Sequence, residues 1–330
     1  MLAAGLATLS GCGLSGCGRP PRADIIWRLG TNLPFTHPLS ARIKEAADRI
    51  YVRSNQRLLI QVYPAGQLGS DADMLAQVRA GAIHMLPISG LTTSMLVPVA
   101  ALSGIGFAFR DREQVFAAMD GNVGQHIRDA IARHGLVTTP KVFESGFRQI
   151  TTSLRPVRSP DDLREMKIRV PIGALWTSMF RSFGASPTSI NFNEVFTALQ
   201  TRVVEGQENP LAVVDSGKLY EVQRYCAITN HMWDGFWLLQ NQDALRKLPV
   251  DLRDLVQIEM AHAADRQRED LAALGESLPA KMVAEGMILN RPDPQPFRET
   301  LRHAGFYSHW RSRLGDRAWT LLEDVVGRIV

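Results

Sequence analysis

Cysteine is scarce: the 330 residues hold three, at positions 12, 17 and 226. Only Cys226 lies in the body of the chain, which excludes an internal disulfide framework there. With no catalytic partner pattern beside it, Cys226 reads as a small core residue. Long charge blocks of one sign are also missing. The net charge is +4 and the isoelectric point about 9.1, but Lys and Arg are interspersed with Asp and Glu, which argues against a nucleic-acid partner. After the first dozen residues no apolar run is long enough for a transmembrane helix. The chain lacks Gly-x-Ser-x-Gly, His-Glu-x-x-His, paired Cys-x-x-Cys, a P-loop and Gly-x-Gly-x-x-Gly, so no catalytic class is marked. Its eight histidines, among them His37, His84, His126, His134 and His231, show no metal-ligand spacing, and no cofactor or metal is indicated.

What is present is an ordinary soluble composition, 45% hydrophobic and 21% charged, long enough for a large core divided between two lobes. The first twelve residues, Met1 to Cys12, form a short apolar run ending in small residues. That pattern reads as a secretory segment although a basic start is missing. Leu9-Ser10-Gly11-Cys12 and Leu14-Ser15-Gly16-Cys17 each resemble a bacterial lipobox. Residues 1–23 are therefore expected to be an export leader, either cleaved or lipid-anchored through Cys12 or Cys17, and the protein periplasmic.

Along the body, apolar runs at 25–30, 58–63 and 83–87 alternate with helical patterns at 40–50 and 70–81, which predicts a parallel sheet covered by helices. Ser70 is a predicted cap, and Gly81 a predicted stop. One helix is expected from Arg112 to about His134, followed by a strand that leads at Gly146-Phe147-Arg148 into a second lobe. Helices are expected from Trp176 to Phe183 and from an Asn193 cap to about Arg202. The aromatic stretch from Tyr225 to Leu239 reads as a strand pair or one long bent strand. Pro249 opens a long helix to about Leu278, kinked or restarted at Pro279. An amphipathic helical segment, Pro296 to Val330, completes the chain.

Lys167-Ile168-Arg169-Val170-Pro171 holds the first functional candidate. In a strand ended by Pro171, Ile168 and Val170 point to one face and Lys167 and Arg169 to the other. A guanidinium fixed on a strand is a rigid five-donor fork suited to a carboxylate. Around it stand, in order, Arg148-Gln149-Ile150-Thr151-Thr152, Gly184-Ala185-Ser186-Pro187, Phe192-Asn193-Glu194-Val195-Phe196 and Gly206-Gln207-Glu208-Asn209-Pro210. This series resembles the extracytoplasmic solute-binding proteins of TRAP transporters, the DctP type, over nearly the whole chain.

The resemblance implies an α/β, two-lobed periplasmic-binding-protein fold with a hinged central cleft and a long helix spanning both lobes. Lobe I would comprise 24–146 plus 235–274, and lobe II 147–234 plus 275–330. It also implies that Arg169 pairs with a ligand carboxylate, that Arg148 faces the same anion and that Asn209 donates its amide to it. Phe192 would close over the ligand, and Asn32, Trp233 and Phe236 would shape the pocket, with Glu208 orienting an arginine. Ser89 stands where the sialic-acid-binding branch has a glutamate, a departure that argues against sialic acid. The implied partners are a small organic acid, such as a uronate or a C4-dicarboxylate, and TRAP membrane permease subunits, with the binding protein a monomer. A sensor feeding a membrane receptor and an exported α/β enzyme acting on a small anion are the alternatives.

Overall fold

The computed structural model describes residues 23–329, so Cys12 and Cys17, with the leader expectation built on them, lie outside the described residues. The strands are β1 (Ile25–Gly30), β2 (Leu58–Tyr63), β3 (Met85–Ser89), β4 (Leu136–Thr138), β5 (Phe143–Phe147), β6 (Gln149–Thr152), β7 (Lys167–Val170), β8 (Ser186–Ser189), β9 (Gly206–Asn209), β10 (Tyr225–Ala227), β11 (Trp233–Asn241) and β12 (Ile288–Asn290). The helices are α1 (Pro38–Arg53), α2 (Asp71–Ala80), α3 (Gly90–Thr93), α4 (Arg112–Asp120), α5 (Asn122–Ala132), α6 (Ala174–Ser182), α7 (Phe192–Gln200), α8 (Leu211–Ser216), α9 (Gln242–Lys247), α10 (Val250–Ala284), α11 (Gln295–His303), α12 (Phe306–Leu314) and α13 (Asp316–Val326). They surround two six-stranded sheets.

The first sheet has the order β2-β1-β3-β11-β4, with β5 also on β11. Its opening strands are parallel, as the strand–helix alternation predicts, whereas β11 runs antiparallel to β3, β4 and β5. The second sheet has the order β12-β10-β6-β9-β7-β8. Two passages join the sheets. At the first, β5 and β6 are separated by Arg148 alone. At the second, the stretch expected as a strand pair or a bent strand divides into β10 in the second sheet and β11 in the first. The passages lie side by side, because the Arg148 backbone N–H donates to the Met232 carbonyl at 2.9 Å.

The 35-residue α10 packs on α1 and β5 beside the first sheet, then on α8 and β12 beside the second. At 1.5 Å per residue it is about 50 Å long. It neither stops nor restarts at Pro279, which lies inside the helix. The carbonyl deprived of its donor belongs to Gly275, beside open space, where a proline ring is accommodated. The single helix expected over 112–134 is instead two, α4 and α5, broken at Gly121. A Cβ there would stand 2.4 Å from the Ala117 carbonyl oxygen, and one at Gly124 1.7 Å from that of Met119. Helix α7 starts two residues earlier than expected, with Asn191 and not Asn193 at the cap position. Helix α11 lies on α6 near the second sheet, whereas α13 lies on α4 and α5 beside the first.

Candidate functional site

Strand β7 lies between β8 and β9, with Arg169 in register with Thr188 and Gln207. Ile168 and Val170 enter the core on one face, which turns Arg169 to the other, as strand alternation requires. There it is buried, only 2% exposed. Its Nε donates to the Ile190 carbonyl at 2.9 Å, and its Nη1 finds no partner among the described residues. Burial lowers its pKa to about 9, with Glu208 and Asp71 opposing the drop and Arg148 adding to it. It remains a cation at neutral pH. An unpartnered guanidinium nitrogen in such a place is costly unless something anionic meets it.

Arg148 occupies the first passage between the sheets and is also buried. Its Nε and Nη2 donate to the two carboxylate oxygens of Glu208 at 2.5 and 2.8 Å, and Nη2 also reaches the Glu208 carbonyl and Asn209 Oδ1. Only Nη1, with one long contact of 3.5 Å to Asp234, retains capacity for a ligand. The guanidinium lies over Trp176 at 5.1 Å. Burial pushes Glu208 up, but Arg148 and His231 outweigh it and hold the carboxyl below its usual range. His231 Nε2 is 3.2 Å from Glu208, and burial holds the imidazole pKa low against that carboxylate. Asn209 is tied in as well, its Nδ2 donating to Gln207 Oε1 at 2.5 Å.

The opposite wall comes from the first sheet. Ser89 Oγ donates to Asp234 at 2.6 Å, and burial raises Asp234 to about 6 against Arg148 and the Ser89 hydroxyl. Asn32 Nδ2 donates to Asp71 at 3.0 Å, in the first turn of α2. Burial raises Asp71 too, opposed by Asn32 and by the charge of Arg169. These side chains, with Phe192, Phe236 and Trp176, enclose a cavity of about 30 Å³. That volume suits roughly two waters. A roomier groove of about 270 Å³ lies elsewhere along the passage, beside Phe147 and the Pro279 region of α10. Its Arg112 is already paired with Glu144, and its other arginine, Arg291, is exposed to solvent, so it holds no buried unmatched cation.

The sequence profile of the bacterial extracellular solute-binding proteins, family 7, known as DctP, matches residues 29–305. The chain belongs to that family. An uncharacterised protein of Sinorhizobium fredii is 34% identical over 82% of this chain, which spans only 51% of that relative's length. A solute-binding protein of Roseobacter denitrificans is 33% identical over 75% of this chain and 76% of its own. The crystal structure of a TRAP periplasmic solute-binding protein from a Polaromonas species, bound to D-erythronate, shares the fold with a TM-score of 0.87 at 26% identity, covering 91% of this chain and 99% of that one. The two-lobed α/β architecture is thus that of TRAP solute-binding proteins.

In this DctP-family chain, seven residues singled out in the sequence meet around one cavity: Asn32, Ser89, Arg148, Arg169, Phe192, Asn209 and Phe236. Trp233 is not among them. It is 1% exposed and meets the ring of Phe116 edge-on in the core, whereas Asp234 and Phe236, which alternate with it along β11, line the cavity. Asp71, Asp234, Ser145 and Trp176 line the cavity without having been singled out. Asp71 reads in the sequence as a favourable charge in a helix's first turn, which hides it. Asp234 carried a usable signal, a lone acid inside an otherwise apolar strand.

Proposed function

We propose that this protein captures a small carboxylate-bearing metabolite between its two lobes and delivers it to the membrane subunits of a TRAP transporter. The observation that carries the reading is the buried Arg169 guanidinium, turned to the cleft with Nη1 unpartnered. A carboxylate would supply the missing acceptor and the missing charge. Arg148 and Asn209, committed to Glu208 and Gln207, act mainly as a fixed polar wall, with Arg148 Nη1 in reserve. Phe192, Phe236 and Asn32 shape the remaining surface. Family membership supports this role, as does the relative that holds D-erythronate.

The cavity is too narrow for a metabolite of that size, so entry requires the lobes to part about the passages at Arg148 and Met232. The lobes are taken as 24–146 with 235–274 and 147–234 with 275–330, α13 reaching back onto α4 and α5. Export, with the leader either cleaved or lipid-anchored through Cys12 or Cys17, and action as a monomer complete the reading.

Micromolar binding corresponds to about 8 kcal/mol, and truncating one partner of a buried charge pair costs roughly 2–5 kcal/mol. Calorimetric titration is therefore expected to find no binding by Arg169→Ala at concentrations that saturate the original protein. Weakening of less than about tenfold would remove Arg169 from the anchor role.

A further inference from the structure

The ionisable groups of the cleft do not balance around a simple acid. Arg148 is neutralised by the bidentate Glu208 behind it. Arg169 then faces two acids, Asp71 on α2 and Asp234 on β11, both lining the same cavity. With all groups ionised and His231 neutral, the cluster is net negative by one charge before any ligand enters. A monocarboxylate on Arg169 deepens that deficit. A dicarboxylate is worse, since its second carboxylate would meet Asp71 or Asp234 with no unpaired cation to receive it.

The unmatched polar atoms are divided in the same way. Donors without partners, Arg169 Nη1 and Trp176 Nε1, belong to β7 and α6 on the second-sheet side. Both side chains are more than nine-tenths buried and line the cavity. On the first-sheet side the unmatched atoms among the described residues are Asn32 Oδ1, an acceptor whose amide nitrogen is already committed to Asp71, and the Ser145 hydroxyl on β5, which can accept or donate. The second-sheet wall thus needs acceptors, whereas the first-sheet wall carries two aspartates, an amide oxygen in need of a donor and a hydroxyl that serves either role.

From this division, and resting on the function proposed above, we propose that the ligand is a small zwitterion. Its carboxylate meets Arg169, and its ammonium or amidinium meets Asp71, Asn32 and Asp234. Such a ligand adds no net charge to the cleft and leaves both aspartates ionised. The raised pKa values of Asp71 and Asp234 are the cost of their present surroundings, which a ligand cation would relieve.

The test is a thermal-shift and calorimetric comparison at neutral pH of L-alanine, L-proline and 4-aminobutyrate against lactate, D-erythronate and succinate. At least one zwitterion is expected to bind tenfold or more tightly than every plain acid. Asp71→Asn or Asp234→Asn is expected to weaken that zwitterion at least tenfold while the unliganded variant keeps a cooperative melt. If an Asn variant alone fails to fold, the other carries the comparison, and the ligand ranking stands without either. Tightest binding by a plain acid, or silence from all three zwitterions, overturns the inference. Arg169→Ala separates the two levels. A plain acid that binds tightly and is lost in that variant overturns the zwitterion while keeping the organic-acid reading, whereas binding that survives in Arg169→Ala overturns both.

Discussion

A single buried guanidinium with an unpartnered nitrogen organises this molecule, and its geometry discriminates between cations. Arg169→Lys retains the charge but not the planar fork that holds Ile190 with one nitrogen and offers another to the cleft. Titration of that variant with the ligand of the original protein is expected to show at least a tenfold loss. Glu208→Gln is expected to destabilise the unliganded protein by roughly 3–5 kcal/mol, measured in urea, because it removes the bidentate carboxylate from the buried Arg148 and leaves it, of acidic partners, only the long contact to Asp234. His37 gives a pH dependence of stability. It caps α1 by accepting from the Leu39 N–H at 3.1 Å, and complete burial lowers its pKa to about 3. The unfolded chain takes up that proton below about 6.5 and the folded chain does not, so stability is lost as pH falls through the interval between those values. Denaturant titrations across that range are expected to give a shallower slope for His37→Asn, which keeps an acceptor at the cap. Arg169 was legible because alternation and a following proline isolate it. Asp71 was not, because a first-turn acid looks the same whether it faces solvent or a ligand.

Secondary structure was legible where local chemistry closes the element. The Ser70–Asp73 capping box and the left-handed Gly81 bound α2 as read from the sequence. The break between α4 and α5 was not, since helical periodicity continues through it and only the approach of the Ala117 and Met119 carbonyls demands glycine. Gly124→Ala is accordingly expected to lower the melting temperature sharply. Gly275→Ala, within α10 and beside open space, is expected to stabilise the fold by about 1 kcal/mol, the usual helix-propensity difference. Differential scanning calorimetry of the two variants distinguishes them by sign.

At the scale of the whole molecule, the two walls of the cleft come from different sheets, joined by the two passages and braced by α10. A ligand that bridges the walls favours the shut arrangement only through contacts absent when they part. Small-angle scattering is expected to give a smaller radius of gyration with ligand than without. An unchanged radius on saturation would place the entry route in side-chain motion and not in hinge motion.

The sequence by itself determined the family, much of the order of elements and most of the side chains that meet at the cavity, because capping, alternation and motif spacing are local properties of the chain. The tertiary structure alone decided which of those side chains remain available. Arg148 and Arg169 look alike in sequence, but the fold sets Glu208 against one and leaves the other a nitrogen to spare. It also brings Asp71 and Asp234, 163 positions apart in the chain, to the same cavity. Charge balance depends on distances through space, and spacing along the chain does not reveal them.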